Sequence, residues 1–369
     1  RLLRLAPGRT GPGRLERAVE RVYESGMYGR VWYELQADGP DTVAVVHAEP
    51  REANRVGFGF RYDERYDASL LFTATLRSLL GYGSETRFDA RLGEQLQFGV
   101  RSVRRGVLSS PLTLGASASY TRSPFDLFEE GRRVATADVV VGAAAFTAGL
   151  ELLGNAGLAA QLAGQRVSGA RPFTSADSVR ERALASISGL AWWSGLDREE
   201  FPRQGVRIFA RSEAVVAGAS FAHHVADVRG AVPLTRRFTL QTRATAGATT
   251  GGDDIPVSYR FFLGGSTASG AFPETQLAFP GLQPQERMGT AVARLQGALQ
   301  WEAVPNVYAT LTAAAGNVGA TLRSAAAHPI VGMGVSLGSQ TILGPIELSL
   351  GGRSLGEWPR VGVNIGYVF

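Results

Sequence analysis

Two stretches of the chain carry the Gly-x-Ser-x-Gly spacing of a nucleophile elbow: Gly334, Ser336, Gly338 and Gly352, Ser354, Gly356. That spacing does chemistry when a strand turns sharply into a helix and lifts the serine hydroxyl clear of the sheet. Neither match is followed by helical spacing, and both lie in or beside stretches of strict apolar–polar alternation. In a chain with 46 glycines such matches arise by chance, so neither serine is expected to be catalytic. His223, His224 and Asp227 are a second candidate. Adjacent residues of a strand point to opposite faces, so the two imidazoles cannot share one metal ion. They are expected at a loop-proximal strand end, facing water. Asp253 and Asp254 offer oxygen ligands, but two carboxylates fall well short of the roughly six to eight that calcium takes. There is no cysteine, which removes thiol nucleophiles, thiolate metal sites and disulfides. No paired acid/base set is visible. The expectation is no catalytic residue, no cofactor and no metal.

Arginine is the remaining polar resource. All 38 basic residues are arginine, set against 33 acids for a net charge of +5. A basic balance raises nucleic acid as a partner, yet the arginines are scattered, with no basic run and no recognition helix. No nucleic-acid partner is expected. Arg87, Arg91, Arg101, Arg207, Arg211, Arg243 and Arg294 each alternate with apolar neighbours. Asp89, Glu94, Glu213 and Glu302 occupy the same faces, which favours a solvated wall with balanced charge. The other reading is an electropositive interior that cradles a returning loop or a passing segment.

The elements that would carry these residues are mostly strands. In residues 12–26 Leu15, Val19 and Val22 have helical spacing and Gly26 is placed to end the helix. Residues 30–49 read as two strands joined by a turn at Asp38, Gly39, Pro40 and Asp41. From about Arg55 onward strand follows strand. Leu295, Leu299 and Trp301 alternate with Arg294, Gln296, Gln300 and Glu302; Ile346, Leu348 and Leu350 alternate with Glu347, Ser349 and Gly351. The chain ends on Val361, Val363, Ile365, Tyr367 and Phe369, every second residue apolar. About sixteen such segments fit the remaining length, near 20 residues per strand and turn. That is the spacing of a transmembrane barrel, whose strands need ~9–11 residues and face lipid on one side. No stretch reaches the ~18 apolar residues of a spanning helix. The predicted fold is all-β: a 16-stranded antiparallel transmembrane barrel behind a partial α+β domain.

Three segments resemble the outer-membrane POTRA-plus-barrel (BamA-like) superfamily. The C-terminal signature positions are Thr341, Gly344, Pro345, Gly366, Tyr367 and Phe369. A mid-barrel turn has Asp197, Pro202 and Gly205 in place. The stretch entering a long sixth extracellular loop carries Gly264, Gly265, Ser269, Gly270 and Phe272. Residues 15–35 are similar to the latter part of a POTRA domain. The superfamily's assembly factors and two-partner transporters carry an arginine at the loop tip, where this chain reads Ser269-Gly270-Ala271-Phe272. That form looks more like the barrels of bacterial patatin-like phospholipases of the type V secretion variety.

The resemblance implies residues 1–52 as a partial POTRA-like domain and 53–369 as the barrel, with the sixth loop at about 249–288. It implies a bacterial outer-membrane location, a periplasmic POTRA-like part, and a translocator or anchor for an upstream lipase passenger, no lipase elements being present here. The alternatives are a general assembly or two-partner secretion transporter, and a passive diffusion porin. The implied partners are outer-membrane lipid and lipopolysaccharide, the chain's own upstream passenger or a secreted polypeptide, and the barrel-assembly machinery. The start at Arg1, partway into a POTRA-like unit, fits the back end of a longer protein.

Overall fold

The computed structural model describes residues 11–366 apart from 25–27, 51–53, 64–66, 82, 108–109, 130, 152–155, 170–181, 253–254, 266–273, 342–343 and 354–359. Asp253, Asp254, Ser269, Gly270, Phe272, Ser354, Tyr367 and Phe369 therefore lie outside the described residues.

The N-terminal unit is a helix, α1 (Pro12–Glu24), against a hairpin of β1 (Tyr28–Asp38) and β2 (Asp41–Pro50). Leu15, Ala18 and Val22 are its buried stripe, one turn apart, so the helix is held by one apolar face. Gly39 takes a left-handed conformation in the two-residue turn, as the Asp-Gly-Pro-Asp sequence requires.

The wall begins with β3 (Asn54–Asp63), β4 (Asp67–Arg77), β5 (Ser84–Gly93), β6 (Leu96–Arg104), β7 (Leu112–Glu129) and β8 (Arg132–Glu151). It continues through β9 (Ala156–Gly169), β10 (Arg182–Ser194), β11 (Gly205–Ala217), β12 (Phe221–Pro233) and β13 (Phe238–Thr250). A long connection then carries three short strands of its own: β14 (Phe261–Leu263), β15 (Gln276–Leu277) and β16 (Arg287–Gly289). The wall resumes with β17 (Ala291–Val304), β18 (Val307–Gly319), a short helix α2 (Leu322–Ala327), β19 (Ile330–Thr341), β20 (Gly344–Gly352) and β21 (Arg360–Ile365). Each wall strand pairs antiparallel with its neighbours, and β21 returns to β3, closing a sixteen-strand barrel. Closure removes the open edges that hydrocarbon would not solvate.

Alternation decides which side chain meets lipid. Along β19, Val331, Met333, Val335 and Leu337 are exposed outside, while Gly332, Gly334, Ser336 and Gly338 face in. On β17, Leu295 is 62% exposed and its neighbour Arg294 only 4%. An apolar girdle of this extent would be unstable in water, so lipid must cover it. Strands β7 and β8 run 18 and 20 residues, well beyond the ~9–11 that span a bilayer. Their surplus turns Phe125, Ala137, Val139 and Val141 inward to pack on Tyr259 and Phe262 of the long connection.

Successive connections alternate between two rims. The 251–290 connection leaves from one rim; the 195–204 and 342–343 turns, and the start of β3, lie at the other.

Leu295→Arg should cost about 2–4 kcal/mol if its position is near the bilayer midplane. Gln296→Glu, one residue on, faces the lumenal Arg243 across the ladder and should change stability by less than about 1 kcal/mol. Urea titration of the refolded barrel in lipid reads both; equal losses would mean the register is wrong.

Candidate functional site: a lumen closed from both ends

The long connection does not stand away from the barrel. It folds back into the lumen, where Phe261, Phe262, Leu263, Leu277, Phe279 and Leu282 are buried. Burying each such side chain is worth roughly 1.5–3 kcal/mol, against about 0.5–1.5 for a typical hydrogen bond. Apolar packing therefore supplies most of the docking energy, and polar contacts set its register. Thr249 N–H donates to Thr290 O at 2.7 Å and ties the neck of the loop. The Thr249 hydroxyl donates to Tyr259 O, and the Tyr259 hydroxyl to Glu213 Oε1, both at 2.8 Å. Burial, and next the charge of Glu213, push the Tyr259 hydroxyl pKa up, so it stays a donor. Asp126 N–H donates to Gln285 Oε1 at 2.8 Å, joining the β7 extension to the loop.

In three contacts the cation comes from the wall or the rim and the acceptor from the loop. Arg294 Nη1 donates to Ala278 O at 2.6 Å. Arg211 lies 3.6 Å from Glu274 and 2.8 Å from wall residue Glu213, and Arg353 lies 3.5 Å from Glu286. Burial raises the Glu274 carboxyl pKa and Arg211 partly offsets it. Gly264 and Gly265 take positive φ where the chain leaves β14, and their N–H groups donate to Leu277 O and Leu282 O at 2.9 and 3.1 Å. The predicted loop residues Gly264 and Gly265 thus sit at the fold-back.

A second plug enters from the other rim. In the turn between β10 and β11, Asp197 Oδ1 accepts from the N–H of Arg203 and Gln204 at 2.9 and 3.2 Å. Gly205 closes the turn at φ +109°, and a side chain there would strike the Leu196 backbone. Pro202 is buried, with its carbonyl accepting from Gln241 Nε2 at 3.0 Å. This aims Phe201, itself at φ +46°, into the barrel, where it stacks on Tyr308 with ring centroids 4.5 Å apart. Arg198 donates to the Tyr308 hydroxyl at 3.0 Å, and Arg203 pairs with Glu302 at 2.9 Å.

Both plugs rest on one wall, and glycine makes that possible. A Cβ on Gly332 would lie 2.8 Å from the Phe279 ring, and one on Gly338 2.6 Å from the Phe201 ring. Gly334 faces Pro280, and on β20 Gly351 faces Gly281 N at 2.9 Å. The first Gly-x-Ser-x-Gly match is therefore a cradle, not an elbow. Ser336 sits in mid-strand, in register with Thr310 and Ser349.

Between the plugs lies a chamber of about 600 Å³. Ala278, Pro280, Gly281 and Leu282 close one end, Glu199, Glu200 and Phe201 the other. Burial pushes the Glu200 carboxyl pKa up. Among the wall residues are Arg207, Arg229, Arg243 and Arg294.

One sequence expectation needs correcting. His223 does not face water: it is 3% exposed, bonded to the Thr249 hydroxyl at 2.8 Å and stacked on Phe261 at 5.1 Å. The inward position beside the loop neck becomes covered once the loop folds back. His224 is exposed and bonds Ser212. Asp227 pairs with Arg243 at 2.8 Å rather than with either histidine. The balanced-wall reading holds for Arg87 with Asp89 and Arg211 with Glu213.

At the seam, β21 and β3 share one registered pair among the described residues, Ile365 with Tyr62. The β20–β21 ladder has six pairs and β3–β4 ten. Gly366 turns away at φ +101°, hard against the Phe60 carbonyl, and its N–H donates to Pro345 O at 2.9 Å. The Thr341 hydroxyl donates to Gly344 O at 2.8 Å in the adjoining turn. The predicted positions Thr341, Gly344, Pro345 and Gly366 thus meet beside the seam, while Asp197, Pro202 and Gly205 shape the second plug. Sequence reading missed Arg229, Tyr259 and the glycine row; small residues at every second position of 332–338, Gly332, Gly334, Ser336 and Gly338, were the available signal.

Residues 78–353, about three quarters of the chain, match the Omp85 superfamily domain. The fold resembles the crystal structure of BamA from Haemophilus ducreyi lacking POTRA domains 1–3, with TM-score 0.70 and 15% identity, covering 95% of this chain and 77% of that one. It also resembles CdiB from Acinetobacter baumannii (TM-score 0.62, 12% identity, 99% and 69% covered) and CdiB from Escherichia coli (0.62, 14%, 95% and 69%). None of the curated proteins matches the chain.

Gly332→Leu should dislodge the loop while the barrel still folds. Overpacking costs about 1–3 kcal/mol, so an impermeant maleimide should label Leu282→Cys roughly ten-fold faster in that background. The chain has no native cysteine to confuse the readout. Fast labelling already with Gly332 intact would mean the loop is not docked.

Proposed function

Because the chain belongs to the Omp85 superfamily, we propose that it is an outer-membrane barrel that inserts or translocates polypeptide, with the α1–β1–β2 unit on the periplasmic side. The observation that carries this reading is a closed sixteen-strand wall whose lumen is plugged from both ends by the chain itself. A plugged lumen is a poor diffusion pore. The first and last wall strands, β3 and β21, meet at a seam, and parting it exposes strand edges that cost several kcal/mol per missing backbone bond in hydrocarbon. A polypeptide that supplies a strand there repairs the ladder it parts. BamA and CdiB, whose barrels this fold resembles, support polypeptide as the cargo class. The residues that serve this role are those meeting beside the seam, Thr341, Gly344, Pro345 and Gly366, with Gly264, Gly265, Asp197, Pro202 and Gly205 shaping the plugs.

A second reading, a barrel that tethers or exports its own upstream patatin-like passenger, is favoured by one feature. The loop's ionic contacts rely on wall and rim arginines meeting Glu274 and Glu286, which suits a loop tip that reads Ser269-Gly270-Ala271-Phe272 without arginine. Either way the chain acts by offering a path and an edge, with lipid, lipopolysaccharide and the assembly machinery as its surroundings.

Tyr62→Cys with Ile365→Cys places two thiols at a registered pair of the seam. Oxidation should abolish surface delivery of the polypeptide produced with the chain and reduction should restore it. A control lock within β20–β21, Leu348→Cys with Val363→Cys, should leave delivery intact. Full delivery through the locked seam would refute the reading.

A further inference from the structure

The chamber wall holds an arrangement that sheets ordinarily avoid. Arg207 on β11 lies directly across from Arg229 on β12, and Arg229 directly across from Arg243 on β13. The next strand puts Gln296 opposite Arg243 and Arg294 one inward position further along. Like charges placed directly opposite one another destabilise a sheet, so three in consecutive register need compensation or a use. Compensation reaches only the ends. Arg207 pairs with Glu199 at 3.0 Å and Arg243 with Asp227 at 2.8 Å. The middle guanidinium, Arg229, donates to a neutral carbonyl, Glu199 O, at 3.0 Å. Arg294, 4% exposed, donates to Ala278 O and the Thr245 hydroxyl, and its Nε has no partner. Neither guanidinium has a carboxylate in ion-pair contact, although Arg229 lies in the field of Glu200 and Glu199 and Arg294 in that of Asp227. Of the acids in the lining, Glu199 is already engaged by Arg207, burial pushes the Glu200 carboxyl pKa up while the charge of Arg229 partly offsets it, and Glu347 stands across the chamber on β20.

We propose that this arc of arginines makes the chamber an anion site, through which small inorganic anions pass in preference to cations when the docked barrel leaks ions. A low-dielectric wall focuses the field of fixed charges into the water between, and rings of arginine select anions where rings of carboxylate select cations. The step is independent of which polypeptide the barrel handles: it concerns the resting, plugged state, and it goes beyond the translocation reading.

The purified full chain is reconstituted in a planar bilayer under a potassium chloride gradient, and the reversal potential gives the permeability ratio. Chloride should be preferred several-fold over potassium. Arg229→Gln should bring the ratio close to one, and Arg229→Glu should reverse it. Arg87→Gln, an arginine of the wall paired with Asp89 outside the chamber, should leave the ratio unchanged. Heat-modifiable gel mobility confirms that each variant is folded; should Arg229→Glu fail to fold, Arg229→Gln decides alone. A folded parent that prefers potassium, shows no preference or passes no current overturns the proposal. So does a ratio that Arg229→Gln leaves untouched.

Discussion

Hydrocarbon offers no hydrogen bonds, so every backbone N–H and C=O at membrane depth must find its partner within the protein. The rest of this structure depends on that constraint. It forces sixteen strands to close on themselves, with β21 returning to β3 and Ile365 in register with Tyr62.

The second constraint is volume. A sixteen-strand barrel encloses far more space than wall side chains can fill, and this one fills it with two segments of its own chain. The two plugs use different physics. The long loop brings six large apolar side chains and packs as a small core of its own; the β10–β11 turn brings one aromatic ring, Phe201, on a tightly bonded scaffold. Both need a wall without side chains, and the alternating glycines of β19 supply it. One strand, separated from the seam by β20 and β21, therefore supports both closures, and a shift of β19 would be felt at both ends of the lumen.

Charge sorts itself by the same logic. On the outside, charges such as Arg122 with Asp138 lie beyond the apolar band; on the inside, arginines are bound by acids or by loop carbonyls. Between the plugs Arg207, Arg229 and Arg243 stand in consecutive register, at a cost in sheet stability.

The sequence by itself determined the alternation, and with it the lipid-facing set, the strand number and the barrel. These follow from period two and from turn chemistry, which are local: Asp197 and Gly205 close their turn whatever surrounds them, and Leu295 must point away from Arg294. It also marked the loop as long, and the helix and hairpin at the start. Only the tertiary structure decided that Arg207, Arg229 and Arg243 share a rung, that Gly332 and Gly338 meet Phe279 and Phe201, and that His223 is covered. Those outcomes depend on the stagger between strands that are neighbours in the wall and on a loop that returns to strands far away in sequence. Register and return are set by closing the whole ring at once, and no stretch of the chain carries that information alone.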